Sequence, residues 1–319
     1  MKIALLAPVE EDVPPPKYGG TELVVANLCD GLVNAGHEVH LYATGTSKTS
    51  AKLFPIFDRP VRELAPDPKD TKMRDAYKFL AIGKILESLI KENYDIIHNH
   101  IGWRLLALQS LMSGPMITTL HGPLDSEYVS FVLGKFASSN YISISDAQRR
   151  PLPSLNYIST IYNGIKVETF DYNDSPKDYF AFLGRMSPEK GPKQAIAAAK
   201  TAGVKLIMAA KVDAVDQEYF KKEVEPLIDG EQIKFIGEVD HIGKVALLKD
   251  AKALLALIQW EEPFGLVMIE SMATGTPVIA FRRGSVPEVV DHGKTGYIVD
   301  SVDEMADALK KIDRIDRRE

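Results

Sequence analysis

The sequence predicts an α/β protein made of two doubly wound parallel sheets. Short apolar runs alternate with longer amphipathic runs along all 319 residues, and this alternation is typical of βα units. A chain of this length has room for two domains of about 150 residues each. The polar, turn-rich stretch 166–178 is typical of a linker. We therefore expect domains at 1–165 and 166–319, with loops of both domains facing an interdomain cleft.

The composition is that of an ordinary soluble globular protein. Hydrophobic residues make up 45% of the chain and charged residues 26%, as in average soluble domains. The net charge of −6 gives no electrostatic reason to expect nucleic acid as a partner. The single cysteine, Cys29, excludes an internal disulfide and fits a reducing cytosol. Since no signal peptide or membrane-spanning run is recognisable, we expect a cytoplasmic protein with at most peripheral contact to the inner face of a membrane.

The apolar runs predict six strands in each half of the chain. These lie at 3–7, 38–43, 96–98, 116–120, 141–144 and 158–162, and at 179–183, 204–209, 233–236, 253–257, 277–280 and 297–299. The first helix is expected at 21–34, because Thr21 can act as its N-cap, Glu22 lies in its first turn and Gly36 follows its end.

The segment from Glu262 to Glu270 places two carboxylates on either side of a helix start. If the helix opens at Phe264, its rise of about 1.5 Å per residue puts Glu270 roughly 8–9 Å along the axis. The backbone N–H groups of Gly265 and Leu266 would then be free to bind an anion such as a diphosphate. This arrangement predicts a nucleotide-sugar site, with one acid for the sugar and one for the ribose.

Each acid also has a simpler interpretation. Glu262 and its neighbour Glu261 could be exposed loop residues. Glu270 follows apolar residues on its helix, and a lone carboxylate is costly to bury. We therefore expect Glu270 to have a partner, and a ribose diol would satisfy both of its oxygens.

Two cations follow an apolar strand about eighty residues before this segment. Arg185 and Lys190 lie five positions apart at a strand-to-helix junction. They could be a solvated surface pair, as most isolated basic residues are. However, a cation at a helix N-terminus opposes the helix dipole, and a phosphate between the two would explain why both are tolerated. For Lys211, after the next strand, a surface role is the better interpretation.

The glycine pair Gly19–Gly20 follows Tyr18 at the start of the first helix. Glycines at this position let a backbone approach a ligand, and the helix dipole favours negative charge there. The pair could equally be a plain tight turn. A dinucleotide-binding fingerprint, G-x-G-x-x-G directly after the first strand, is absent.

Three histidines fall at or near predicted strand ends. His121 precedes Gly122 on the expected cleft side, where an imidazole can contact a sugar hydroxyl. A lone histidine at a strand end is more often structural, but the neighbouring Gly122 favours a site here. His98 and His100 lie on the same face of a strand, as metal ligands can. Without a third ligand at a telling spacing, we predict a structural role or a wall of the acceptor cleft for these two, and no metal site. No Ser-His-Asp, Cys-His or P-loop motif is recognisable either.

Taken in order, nine short motifs are similar to those of one enzyme family. The chain resembles the retaining nucleotide-sugar glycosyltransferases of family 4, which have the GT-B fold. The motifs are YGGTEL (18–23), GHEV (36–39), IIH (96–98), NGI (163–165), FLGR (182–185), EPFGL (262–266), GTPVIA (275–280), SVPEVV (285–290) and GKTG (293–296).

The resemblance implies an N-terminal acceptor-binding domain and a C-terminal donor-binding domain. The implied site residues are Arg185 and Lys190 at the diphosphate, with backbone help from Gly19–Gly20 and from Phe264, Gly265 and Leu266; Glu270 at the ribose; Glu262 at the transferred sugar; His121 beside its anomeric carbon or 6-hydroxyl; and Gly237 near the base.

The implied reaction is transfer of a hexose with retention of configuration and without a metal or other cofactor. A UDP-sugar is a better expectation for the donor than a GDP-sugar, and the acceptor, whether a saccharide, a lipid-linked or a small molecule, is not decoded. One alternative is a catalytically weak nucleotide-sugar-binding module or a subunit of a larger glycosyltransferase. Another is an epimerase or phosphorylase of the same fold, although no pyridoxal phosphate lysine motif is recognisable.

The sequence departs from the family pattern at its end. Family members usually continue into further helices, the last of which crosses back to the N-terminal domain. This sequence ends with the charged stretch 314–319, as a truncated or a naturally short form would. The expected consequences are weaker domain closure and exposure of apolar surface that favours self-association.

Overall fold

The structure is a computed structural model that describes residues 1–17 and 19–319. It divides into two compact units, Met1–Gly164 and Ile165–Glu319. Each unit contains one parallel sheet with helices packed on it, so the predicted fold class, two Rossmann-like domains, is confirmed. Tyr18, the first residue of the predicted glycine motif, lies outside the described residues.

The N-terminal unit has a seven-stranded sheet within the described residues, in the order β3-β2-β1-β4-β5-β6-β7. Its strands are β1 (Lys2–Leu6), β2 (Glu38–Ala43), β3 (Lys52–Pro55), β4 (Ile96–Asn99), β5 (Met116–Thr119), β6 (Asn140–Ser143) and β7 (Tyr157–Thr160). Its helices are α1 (Gly20–Asn34), α2 (Val61–Leu64), α3 (Thr71–Leu89), α4 (Glu127–Gly134) and α5 (Asp146–Arg149), with a 3-10 helix at Trp103–Leu111. The edge strand β3 was not predicted.

The C-terminal unit has six strands in the described chain, in the order β10-β9-β8-β11-β12-β13. They are β8 (Phe180–Arg185), β9 (Leu206–Lys211), β10 (Ile233–Phe235), β11 (Leu254–Ala256), β12 (Val278–Phe281) and β13 (Gly296–Val299). The helices are α6 (Pro192–Ala202), α7 (Gln217–Tyr219), α8 (His241–Lys249), α9 (Leu266–Ala273), α10 (Val286–Val289) and α11 (Val302–Lys311). Shorter turns are the 3-10 helices Val167–Thr169, Pro188–Lys190, Glu225–Leu227 and Ile312–Arg314 and the π-helix Phe220–Val224.

Strand order reverses once in each sheet. The reversal lies between β1 and β4 in the N-terminal unit and between β8 and β11 in the C-terminal unit. At such a reversal the connections leave toward opposite faces, so a crevice opens beyond the carboxyl ends of the two strands. Each unit therefore has one position that its topology favours for a ligand.

The central strands of each sheet are mostly buried, and their residues are mostly apolar, as in sheets covered by helices on both faces. In β8, Phe180 and Phe182 join one core cluster and Ala181 joins the other, as the alternation of side chains along a strand requires. Among the described residues, each helix is too short or too polar to cross a bilayer.

Two predicted helix starts are wrong. The first helix begins at Gly20, with Gly19 as N-cap and no capping side chain, so Thr21 lies inside the first turn. Helix α9 begins at Leu266, because its N-cap Gly265 has the left-handed φ of 78°, which a helix cannot contain. Glu270 is therefore about 6 Å from the helix start, and not 8–9 Å.

Gly191, the N-cap of α6, provides a test of how closely this helix packs on the loop after β11. A Cβ at Gly191 would lie 1.9 Å from the carbonyl oxygen of Leu257, whereas a Cβ at Gly203 would meet no atom within 4 Å. Their φ angles are similar, 71° and 68°. Both alanine variants should lose about 1–2 kcal/mol from the left-handed backbone, and Gly191→Ala should lose a further 1–3 kcal/mol or so from the clash. Urea denaturation measures both, and equal losses would contradict the close approach.

Candidate functional site

The crevice of the C-terminal unit contains most of the predicted donor residues. Arg185 ends β8, and the loop 257–265 follows β11, its neighbour in the sheet. The backbone N–H of Gln259 donates a hydrogen bond of 2.7 Å to the carbonyl of Glu189. This bond ties the loop carrying Glu262 to the 3-10 turn carrying Lys190.

Arg185 is held by two acids that the sequence prediction missed. It forms ion pairs with Glu189, four residues along, and with Asp216 at 3.2 Å. Desolvation opposes ionisation of Glu189, but its own backbone N–H, Ser187 and Arg185 together keep its pKa below the ordinary value. Burial raises the pKa of Asp216, and the Arg185 charge only partly offsets this. The guanidinium therefore lies in an acidic surrounding.

Lys190 and Glu262 form an ion pair that is largely shielded from solvent. Their Nζ and Oε2 atoms are 2.5 Å apart, and the indole N–H of Trp260 donates to the same oxygen at 2.8 Å. The ammonium of Lys190 also lies 5.2 Å from the centre of the Trp260 ring, within range of a cation–π contact. Because Glu262 is 8% exposed, it is not the solvated loop acid of the simpler interpretation. Glu261 is exposed.

The loop after β12 fixes the backbone of Glu262. Ser285 donates from its N–H to the carbonyl of Glu262 at 2.9 Å and from its hydroxyl to the carbonyl of Phe264 at 2.7 Å. A Cβ at Gly284 would lie 2.2 Å from the backbone carbonyl oxygen of Glu262, so only glycine allows the two loops to come this close. The Glu261 carboxylate accepts a bond of 2.7 Å from the Gly284 N–H.

Helix α9 begins at the end of the same loop, 257–265, and its N-terminus has backbone N–H groups that are free to donate hydrogen bonds. The N–H of Met268 bonds to the carbonyl of Gly265 at 3.0 Å, whereas the helix itself does not use the N–H groups of Leu266 and Val267. Both residues are partly exposed. Two such amides at a positive helix end can bind an anion.

Glu270 has a protein partner that the sequence did not indicate. Its carboxylate is 5% exposed and lies 2.5 Å from the ammonium of Lys244 on α8. Lys244 in turn lies 5.6 Å from the ring centre of Phe170. The expectation that a buried Glu270 has a partner is therefore confirmed. The partner in the structure is Lys244, which bonds to Oε1, and the contact of Glu270 with a ribose stays a prediction.

The remaining predicted residues of this unit lie along its other strands. Gly237 follows β10 with φ 77°, and its carbonyl accepts a bond of 2.9 Å from the N–H of Ala210 at the end of β9. Lys211, next to Ala210, pairs with Asp213 at 2.7 Å.

The histidines form a cluster in the N-terminal unit. Nδ1 of His100 and Nε2 of His121 are 2.8 Å apart, and Nε2 of His98 lies 2.8 Å from the hydroxyl of Thr119. Burial lowers the pKa of His98 and of His121 to about 4, and it also lowers that of His100 well below the ordinary value. All three imidazoles are therefore neutral at pH 7. Among the described residues, no three His, Cys, Asp or Glu side chains are grouped to hold a metal ion.

The glycine pair lies beside a buried acid. Glu22, in the first turn of α1, is 6% exposed, and a Cβ on Gly19 would lie 3.1 Å from its Oε2. Burial raises the pKa of Glu22 to about 7, and the charge of Glu11 adds to this effect. Near neutral pH the carboxyl is therefore only partly ionised, which limits the negative charge at this helix end.

Some of the residues that the sequence analysis did not predict had a signal in the sequence, and others had none. Glu189 is spaced four positions from Arg185, a spacing that brings side chains together on a helical turn. Trp260 stands two positions before Glu262. Asp216 and Lys244 come from distant segments with no recognisable motif, so only the fold reveals them.

Two family models match the chain. The model described as Glycosyltransferase Family 4 matches residues 18–169, and that described as Glycosyl transferases group 1 matches residues 168–317. N-acetyl-alpha-D-glucosaminyl L-malate synthase of Bacillus anthracis is 26% identical over 316 residues, which cover 89% of this chain and 81% of that protein. Phosphatidyl-myo-inositol mannosyltransferase of Mycobacterium leprae is 26% identical over 346 residues, covering 99% and 88%.

Solved structures share the fold. Sucrose-phosphate synthase from Thermosynechococcus elongatus matches with a TM-score of 0.77 and 20% identity, over 98% of this chain and 89% of that chain. Anabaena HepE in complex with UDP-glucose matches with a TM-score of 0.71 and 19% identity, over 98% and 91%. The two sheets and these likenesses define a glycosyltransferase of the GT-B fold. Within that class, the chain belongs to glycosyltransferase family 4.

The raised pKa of Glu22 predicts how the free energy of unfolding depends on pH. Its pKa of about 7 in the folded protein exceeds the unfolded value of 4.5, so between these two the folded state binds more protons. The free energy of unfolding therefore falls as pH rises through this window. In Glu22→Gln this loss should be smaller by about 3 kcal/mol.

Urea denaturation at pH 4.5 and pH 8 measures the effect. The matched control is Glu127→Gln, which removes an exposed acid from the first turn of α4 and should keep the wild-type pH dependence. The same pH dependence in Glu22→Gln as in wild type would show that Glu22 does not have a raised pKa.

Proposed function

We propose that this glycosyltransferase moves a hexose from a UDP-sugar to an acceptor hydroxyl, with retention of configuration and without a metal ion. The donor binds to the C-terminal unit and the acceptor to the N-terminal unit. The observation that carries the proposal is the grouping of Arg185, Lys190 and the α9 N-terminus around the crevice between β8 and β11. These groups are donors of the kind that a diphosphate requires.

Nearby acids balance the charges of the two cations. Arg185 pairs with Glu189 and Asp216, and Lys190 pairs with Glu262. In the proposed complex the diphosphate replaces part of this balance. Lys190 turns toward a phosphate oxygen, and Glu262 becomes free to accept hydrogen bonds from hydroxyls of the hexose. The ion pair thus keeps both groups ordered before the donor arrives.

Glu270 and Gly237 complete the proposed donor site. Because Lys244 bonds to Oε1 of Glu270, Oε2 is the oxygen offered to a ribose hydroxyl. Gly237, which has no side chain, would lie beside the base. HepE binds UDP-glucose, and this likeness favours UDP over GDP as the nucleotide.

The chemistry needs no protein nucleophile. As the bond from the anomeric carbon to the diphosphate breaks, the diphosphate takes the electron pair, and Arg185, Lys190 and the α9 amides stabilise the charge that develops. The acceptor oxygen forms its new bond on the same face, and its proton passes to the diphosphate oxygen. His121, a neutral imidazole, would contact the sugar and not serve as a charged acid.

The alternative is a module that binds nucleotide-sugars but transfers slowly. The test is to incubate the protein with UDP-glucose, GDP-mannose and ADP-glucose, each with and without EDTA, and to follow release of the nucleoside diphosphate. Proton NMR of the released or transferred sugar reports its anomeric configuration. We expect UDP release that EDTA does not reduce and an α-configured product from an α-configured donor. Binding of UDP-glucose without turnover would support the module, and an inverted product would contradict the proposed mechanism.

Arg185 and Lys190 provide the first variants. Arg185→Ala and Lys190→Ala should each reduce kcat about 100- to 1,000-fold, the usual effect of removing one donor to a developing anion. Lys193→Ala is the matched control, because Lys193 lies in the next helix, pairs with Glu223 at 2.7 Å and has no proposed role at the diphosphate. Circular dichroism would confirm folding. Turnover near that of the control in either crevice variant would refute its role.

Glu270 provides a test that separates ribose from phosphate. Glu270→Gln should weaken UDP binding about tenfold, because a charge-assisted hydrogen bond is lost, while affinity for inorganic pyrophosphate stays unchanged. Arg185→Ala should weaken both. Calorimetric titration of each ligand measures the difference. Equal effects of Glu270→Gln on UDP and pyrophosphate would remove Glu270 from the ribose.

A further inference from the structure

The N-terminal unit contains a cavity of about 320 Å³ at its own strand reversal. Its wall includes the segment after β1 (7–10), the segment after β4 (100–104) and the segment after β5 (120–124). These are the positions where a doubly wound sheet binds ligands. The volume lies at the lower end of the range for small-molecule sites, so the cavity suits a single ring or a short chain and not an extended oligosaccharide.

Most of the wall is apolar. Side chains from α3, α4 and the segment after β5 contribute Ile82, Ile85, Leu120, Leu124 and Leu133, and Trp103 adds an aromatic face. Sugars carry hydroxyls over most of their surface, and each hydroxyl buried here without a partner would be costly. An aryl or alkyl group fills such a wall at no such cost.

His100, one of the residues that line the cavity, has a buried polar atom suited to a hydroxyl. His100 is 4% exposed, and its Nε2 makes no hydrogen bond to any described residue, while its Nδ1 is used by His121. If His121 donates in that bond, Nε2 of His100 carries the proton; if His100 donates, Nε2 is an acceptor. A hydroxyl both donates and accepts, so it satisfies either arrangement.

A cation also reaches the cavity. Lys78, on α3, lines it and is half-buried. The other charged residues of the wall are compensated within the described chain: Arg104 lies 3.4 Å from Asp75, and Glu10 pairs with Arg74. No ion pair of Lys78 occurs among the described residues, and a ligand carboxylate or phosphate would supply one.

We propose that this cavity binds the acceptor, and that the acceptor is a small amphiphilic molecule with an apolar ring or short chain, an anionic group on Lys78 and a hydroxyl on His100. This inference rests on the proposed function, since it gives that function its acceptor class. The hydroxyl on His100 is the one that receives the sugar. His100 positions it and does not act as a base, because the proton leaves with the diphosphate as described above.

Binding of matched small molecules tests the proposal. The probes are 4-hydroxyphenylacetate, phenylacetate without the hydroxyl, 4-hydroxybenzyl alcohol without the anion, and maltotriose. Each is titrated into the full chain by calorimetry at low ionic strength, with and without saturating UDP. We expect 4-hydroxyphenylacetate to bind at least tenfold more tightly than each of the other three. Tighter binding of maltotriose, or equal binding of all three aromatic probes, would overturn the proposal.

Two variants on one helix locate the anion. Lys78→Gln should weaken 4-hydroxyphenylacetate about tenfold and leave 4-hydroxybenzyl alcohol unchanged. Lys72→Gln removes an exposed lysine of α3 that does not line the cavity, and it should change neither affinity. Equal effects of the two variants would place the anion elsewhere and overturn the assignment.

Comparing the binding of UDP with that of the aromatic probes distinguishes a failure of the cavity assignment from a failure of the proposed function. If UDP binds and none of the aromatic probes binds, the cavity assignment fails while the donor site stands. If UDP does not bind, the donor site fails whatever the probes do. Co-sedimentation with phosphatidylglycerol vesicles, without binding of any soluble probe, would indicate a long-chain lipid acceptor and would also overturn the proposal.

Discussion

The reversal of strand order between β8 and β11 is the constraint on which the proposed donor site depends. It makes two segments far apart in sequence leave neighbouring strands at the same end of the sheet. The backbone bond from Gln259 to Glu189 and the ion pair from Lys190 to Glu262 then join them. Gly191 and Gly284 allow the close approaches that this requires. A cation-bearing turn thus meets an acid-bearing loop and the helix N-terminus that follows it, although about seventy residues separate the turn from the loop in sequence.

The charged side chains in this crevice balance one another. Burying a lone charge is costly, and each predicted cation or acid here has an opposite partner: Arg185 with Glu189 and Asp216, Lys190 with Glu262, and Lys244 with Glu270. Such pairs contribute little net stability when buried, but they hold side chains in defined positions. A diphosphate would exchange one set of charge-assisted bonds for another, so its affinity should reflect a difference between two paired states.

The sequence was informative where local chemistry decides structure. Apolar runs located twelve of the strands, and the spacing of Arg185, Lys190, Glu262 and Glu270 indicated a site that the sheet order makes possible. It was less informative on helix starts, because the left-handed φ of Gly265 and the cap at Gly19 depend on the loops around them. It could not reveal Asp216 or Lys244, since their contacts arise only when distant strands and helices pack. The edge strand β3 was not predicted because it has only four residues, of which two are exposed and two are partly buried.

Hydrogen–deuterium exchange in the presence and absence of UDP tests the central claim most directly. It reports on backbone amides, and in the proposed donor site the diphosphate binds to the amides at the start of α9. Saturating UDP should slow exchange at Leu266 and Val267 and in the segment 184–191. Protection confined to the N-terminal unit, or none in these two segments despite calorimetric binding, would contradict the donor site.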